Sequence, residues 1–138
     1  MRKNINNVFK LDMTFIQSTK TCFQKYVIFN GRASRSEFWW FTLFICLVTI
    51  LTIIADLVIF GEEMLLMEPY AVVNFTNIFN IFIVLPSLSV TFRRLHDVNK
   101  SGWWLLLYFT LIGILVILYW NIKKGNEDEN RFGLNPLN

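Results

Sequence analysis

The sequence predicts an all-α integral membrane protein, a bundle of three transmembrane helices preceded by an amphipathic interfacial helix. The chain has 138 residues, 54% of them hydrophobic and only 17% charged, where soluble domains carry about 25% charged residues. Its mean hydropathy is +0.45, more apolar surface than a small aqueous fold can hide. The apolar residues are gathered into three long runs, separated by short polar segments of alternating charge.

Residues 1–28 form an N-terminal segment. Within it Phe15, Ile16, Thr19, Cys22, Phe23, Tyr26 and Val27 recur at helical spacing, while Gln17, Lys20, Gln24 and Lys25 fall mostly elsewhere. This pattern fits a helix at the membrane surface with its lysines toward headgroups. A helix packed on the rest of the protein fits it as well. Met1-Arg2-Lys3 is followed by residues too polar for the apolar core of a signal peptide. Phe29-Asn30-Gly31 breaks the periodicity, and Ser34 with Glu37 three residues later has the form of a capping box.

Residues 29–122 hold the membrane domain, with spans expected at about 38–60, 72–92 and 103–120. The first carries one charge, Asp56, and is long enough at 1.5 Å per residue to cover a hydrocarbon core of about 30 Å. Trp39 and Trp40 mark its first interface. The second contains Asn74, Asn77 and Asn80 on one helical face, then Pro86. That proline should bend the helix and free a carbonyl for a neighbour to satisfy. The third has no charge, has Gly113 near its middle, and is bracketed by Trp103, Trp104 and Trp120. Residues 123–138 are a polar tail.

Charge sets the topology. Residues 1–37 hold seven of the 13 Lys and Arg, segment 61–71 holds Glu62, Glu63 and Glu68 with no base, and 93–102 is basic again. The N-terminus and 93–102 are therefore expected in the cytosol and 61–71 outside. Three crossings would put the tail outside. Lys123 and Lys124 favour the inside, and a broken, re-entrant third segment around Gly113 would satisfy them. The side holding the C-terminus stays open.

Block-wise charge of this kind orients helices and is a poor basis for binding nucleic acid. Cys22 and Cys46 make neither a disulfide framework nor a metal spacing. His96 is the lone histidine, so no metal site is expected. It does not face its neighbour Asp97 by spacing alone. There is no phosphate loop, nucleophile elbow or carboxylate pair, and no cofactor is expected.

The polar segments carry more specific residue types than orientation needs. Phe29-Asn30-Gly31-Arg32-Ala33-Ser34-Arg35-Ser36-Glu37-Phe38-Trp39-Trp40 opens the membrane domain. Arg93-Arg94-Leu95-His96-Asp97, then Lys100-Ser101-Gly102-Trp103-Trp104, lies at its centre. Gly125, Glu129-Asn130-Arg131-Phe132-Gly133 and Pro136 close it. Three such motifs around three apolar runs resemble the YhaH-type group of small bacterial inner-membrane proteins, a domain of unknown function, over roughly residues 23–136. The resemblance implies an inner-membrane location. It supplies no catalytic residue, because the group has no established activity.

The candidate site is a cytosolic-face cluster of Gly31, Arg32, Ser34, Arg35, Glu37, Arg93, Arg94, His96, Asp97, Ser101 and Gly102. It either engages anionic lipid, a membrane partner or a second copy, or orients the chain and pairs internally, Arg93 with Asp97 at i,i+4 for example. Asp56 with Asn74, Asn77 and Asn80 is read as interhelical contact. The leading function is a non-enzymatic membrane module. The alternatives are a subunit of an oligomeric channel or transporter lined by Asp56 and the asparagine face, and a surface enzyme using His96.

Overall fold

The computed structural model describes residues 12–61 and 74–137. The first eleven residues and most of the acidic turn, with Glu62, Glu63 and Glu68, lie outside them. The described residues form four α-helices and one 3-10 helix, with no strand. These are α1 (Phe15–Gln24), α2 (Arg35–Phe60), α3 (Phe75–Asp97), the 3-10 helix (Gly102–Phe109) and α4 (Leu111–Ile122). Two of them, α2 and α3, are long and apolar enough to cross a bilayer.

Helix α1 begins at a full capping box, Thr14 with Gln17, and packs across the two long helices. Ser18 and Cys22 are buried on its inner face. Phe23 meets Phe41, Phe44 and Phe82 at ring-centroid distances of 5.7, 5.6 and 6.1 Å. The helix thus combines a packed face with an exposed one that carries Gln17, Lys20 and Gln24.

Helices α2 and α3 are antiparallel. Ser34 caps α2, its hydroxyl accepting from Glu37 N at 3.1 Å, and Gly61 ends it at φ +71°, a conformation favoured by glycine. Asn74 caps α3, accepting from Asn77 N at 2.7 Å. The helix therefore starts at Phe75, three residues later than the hydropathy implied, and runs on to Asp97 because Arg93 and Arg94 are buried in it. Pro86 sits inside α3 and is buried. The carbonyl four residues earlier is that of Phe82, and it accepts from the hydroxyl of Tyr26. A side chain from the turn just after α1 thus supplies the donor that the proline lacks.

The third apolar run, expected as one spanning helix, is not one continuous helix. It turns back on itself at Thr110, between the 3-10 helix and α4. The hydroxyl of Thr110 accepts from Gly113 N at 3.1 Å and donates to Leu107 O at 3.0 Å, so the turn meets its polar needs internally. Eight residues at about 2 Å rise give a leg of about 16 Å, and twelve α-helical residues give about 18 Å. The legs match in length, and both fall short of a 30 Å hydrocarbon core. Trp104 and Trp120, read from sequence as opposite ends of a span, meet edge to face at 5.6 Å. Hydropathy cannot make this distinction, because a hairpin in lipid and a span in lipid demand the same apolar residues.

Glycine makes both ends of the hairpin possible. A Cβ on Gly102 would lie 1.9 Å from the Phe92 ring, and one on Gly113 would lie 2.1 Å from the Leu107 carbonyl oxygen. The backbone at Leu107 cannot yield as a flexible side chain can. Gly113→Leu is therefore expected to cost at least the ~1–3 kcal/mol typical of overpacking, read as a lower denaturation midpoint in detergent with the helical content of α2 and α3 retained.

Candidate functional site

The three polar motifs, far apart in sequence, meet at one end of the molecule. The opening motif enters from the α1–α2 connection, the central one from the last turn of α3, and the closing one from the tail after α4. Backbone bonds tie them: Ala33 N donates to Arg93 O, and Asn126 N to Asp97 O, both at 2.9 Å.

At the centre is a buried cluster of three guanidiniums and two carboxylates: Arg32, Arg93, Arg94, Glu37 and Asp97. Asp97 is held from two sides, by Arg32 Nε at 2.9 Å and by Arg94 Nη1. Arg93 pairs with Glu37, the side chains 0% and 2% exposed. The expected Arg93–Asp97 pair does not form, because Asp97 is occupied by two other guanidiniums and Glu37 lies across the helix interface from Arg93. Glu37 likewise does not complete the capping box of α2; its carboxylate turns inward to Arg93.

Arg32 and Arg94 spend their remaining donors on backbone carbonyls. Arg32 Nη1 donates to Asp128 O at 2.8 Å and Gly133 O at 3.1 Å, and Nη2 to Asn126 O. Arg94 donates to Asn121 O and Trp120 O, both at 3.3 Å, and to Lys123 O. The last carbonyls of a helix have no intrahelical donor and carry its negative dipole end. Arg94 therefore caps the C-terminus of α4 from the neighbouring helix. Arg93 is less complete: its Nε and Nη2, and Asn121 Oδ1, have no hydrogen-bond partner among the described residues.

His96 Nδ1 lies 3.0 Å from Gly31 O, and its ring stacks flat on Phe132 at 3.9 Å. Gly31 has φ +85°, so its conformation favours glycine. His96 and Asp97 thus look to different partners, and no His–Asp dyad exists. In the tail, Asn130 Nδ2 donates to His96 O at 2.9 Å, and Asn130 pairs with Gly133 in a short bridge. Arg131 lies over the Phe132 ring and Glu129 is exposed. Ser101 caps the 3-10 helix.

Gly125, which opens the closing motif, passes so close to Asp97 that a Cβ would lie 1.9 Å from its carboxylate. Sequence reasoning missed the roles of Asn121 and Tyr26. Asn121 directly follows the long apolar run, and its bond to Arg94, 27 residues away, is made by its main-chain carbonyl, which no side-chain pattern marks.

At the other end of the long helices, Asp56 is buried. Its carboxylate accepts from Phe75 N and Thr76 N at 2.9 Å each, and from Thr76 Oγ1 at 2.6 Å. It thus binds the positive N-terminus of α3. Asn74 is the cap of that helix, Asn77 is half-buried in its first turn, and Asn80 is exposed. Asn74 thus serves as a helix cap, and within one chain Asp56 holds the start of α3. Among the described residues no group of His, Cys, Asp and Glu could hold a metal ion.

Removing one member of a buried ion pair costs about 3–5 kcal/mol, whereas replacing both by apolar residues is often neutral. Arg93→Met and Glu37→Leu are each expected to lower stability by that order, and the double variant to recover most of it, in a double-mutant cycle of denaturation midpoints. Cys22 lies against Glu37, its Sγ 3.8 Å from Oε1. Burial, then the Glu37 charge, pushes its thiol up to about 12. Because only the thiolate reacts, Cys22 should stay unmodified by maleimide between pH 7 and pH 9 in the folded protein and react after denaturation, as mass spectrometry of the labelled peptide would record.

The family described as "Protein of unknown function (DUF805)" matches residues 26–134. Inner membrane protein YhaH of Escherichia coli K12 is 38% identical over 118 residues, covering 82% of this chain and 90% of the relative. Inner membrane protein YhaI of the same organism is 37% identical over 114 residues, covering 82% and 89%. No solved structure matches. On this evidence the chain belongs to the DUF805 family of proteins of unknown function.

Proposed function

We propose that this protein is a non-enzymatic, multi-pass component of the bacterial inner membrane whose cytosolic end engages anionic phospholipid. In this reading α2 and α3 cross the bilayer, the hairpin of the 3-10 helix and α4 is re-entrant, and both the N-terminus and the tail are cytosolic. The single observation that carries it is the tryptophan belt. All five tryptophans of the chain, Trp39, Trp40, Trp103, Trp104 and Trp120, sit at the arginine end, at the level where indoles meet headgroups.

The role of the cluster differs from the one its composition suggested. Arg32, Arg93 and Arg94 are buried and paired, so they build the platform and do not touch lipid. The lipid-facing cations are the exposed ones around them: Arg35, Lys123, Lys124 and Arg131. Arg35 and Lys124 line one cleft together with Asp12, Asp97 and Glu127, and Lys124 pairs there with Glu127. Each cation near an anionic surface is worth about 1 kcal/mol. The names of the curated relatives agree with an inner-membrane location. A membrane partner protein or second copy would use the same rim.

Changing Arg35, Lys123, Lys124 and Arg131 together to Gln should lower retention of phosphatidylglycerol by tenfold or more, about 1.4 kcal/mol, in native mass spectrometry, with an unchanged melting curve. Undiminished retention would refute the headgroup role. A fluorescent C-terminal fusion should glow in the cytosol, and an alkaline phosphatase fusion at the same position should be inactive; the reverse result removes the topology.

A further inference from the structure

The two ends of the long helices differ in cross-section. Two contacts give their register: Glu37 meets Arg93, and Asp56 meets Phe75 and Thr76. Ser87 of α3 therefore lies at about the level of Phe44 of α2. The hairpin tip reaches that level and no further, since Tyr108 and Phe109 share a cleft with Ser87 and Leu88. Helix α1 lies in the same half: its rings pack on Trp40, Phe41, Phe44 and Phe82, Ser18 reaches the Ser36 carbonyl, and at Phe82 its end lies about one turn deeper than Ser87.

From Arg35 to Phe44 is ten residues, about 15 Å of helix, or one leaflet of a hydrocarbon core about 30 Å thick. Within that depth lie both legs of the hairpin, most of α1 and the arginine-end parts of the two long helices. More than about a turn beyond it, among the described residues, only α2 and α3 continue. The tip is not held in a protein pocket, for Phe109 and Leu111 are 88% and 83% exposed. It lies open to acyl chains.

We infer that the molecule is a membrane wedge, which prefers bilayers curved so that the leaflet at its arginine end is the expanded, convex one. The physical reason is area mismatch. Among the described residues, five helical pieces displace lipid in one leaflet and two in the other, and curvature that dilates the first leaflet relieves the packing mismatch. Interfacial amphipathic helices sense curvature on the same ground, and α1 lies across the long helices with a polar outer face. The inference rests on the bilayer placement proposed above for α2, α3 and the hairpin, and does not depend on headgroup charge.

The test uses the full-length protein, fluorescently labelled, in giant vesicles of phosphatidylcholine from which a narrow membrane tether is pulled. Molecules with the arginine end outward should be enriched in the tether severalfold relative to a lipid dye, and molecules with it inward should be depleted. Orientation is set by protease access to the tail. Equal density in tether and vesicle, or enrichment of both orientations alike, would overturn the wedge. Repeating the pull with phosphatidylglycerol separates the two readings. Sorting that occurs only with the anionic lipid sinks the wedge, and sorting unchanged by it supports the wedge whether or not the headgroup role stands.

Discussion

Everything at the arginine end depends on Asp97, a single carboxylate shared by two buried guanidiniums. Taking an ion out of water costs several kcal/mol, and the attraction of its partner repays this only when the remaining donors are also satisfied. Arg32 and Arg94 meet that condition in the same way. Each gives part of its fork to Asp97 and the rest to main-chain carbonyls of the tail or of the end of α4. Lysine could not replace either. Its ammonium is a point charge with three donors, whereas a planar guanidinium carries five in a fixed fork. Ion pairing and chain reversal are thus one event: the carbonyls that neutralise the arginines are present only because the third apolar run has returned.

Arg93 is the exception. It has its carboxylate, Glu37, but its Nε and Nη2 stay unsatisfied among the described residues. The net charge of the cluster is one unit positive, three arginines against two carboxylates with His96 neutral. Such a site lowers stability unless its surroundings are firm. Those surroundings are the aromatic packing of Phe23, Phe41 and Phe44 and the buried Cys22, which join α1 to α2 beside the pair.

Much of the architecture was legible in the residues. The length of α2, the Ser34 cap and the need for a donor opposite Pro86 follow from local rules that hold whatever surrounds them. The pairing of the arginines was not legible. Arg32 and Asp97 are 65 residues apart and Arg93 and Glu37 are 56 apart, and one sequence carries no signal linking them. Charges beside apolar runs therefore read as a solvated rim, whereas Arg32, Arg93 and Arg94 are buried and Arg35, Lys123, Lys124 and Arg131 are among those exposed. The hairpin was half legible. Gly113 and the lysines after Ile122 marked the third run as unusual, but the turning residue is Thr110, whose hydroxyl closes the turn and which looks unremarkable in an apolar run.

The hairpin also explains why its first leg is a 3-10 helix. Short pieces of that helix are common and eight residues are long for it. The leg must start at Gly102, pressed against Phe92, and end where α4 can begin its return. With fewer residues than α4, it covers nearly the same distance only by rising faster per residue. The threefold repeat also sorts its side chains. Trp103, Leu106 and Phe109 form one exposed row, and Trp104 turns toward Trp120. An α-helical leg of eight residues would be about 4 Å shorter, so its tip would fall short of the start of α4, and its side chains would not line up in rows of three. The geometry of the leg is therefore set by the cluster at its base: Arg94 requires the end of α4 beside it, α4 fixes the depth of the turn, and the 3-10 rise lets eight residues reach that depth.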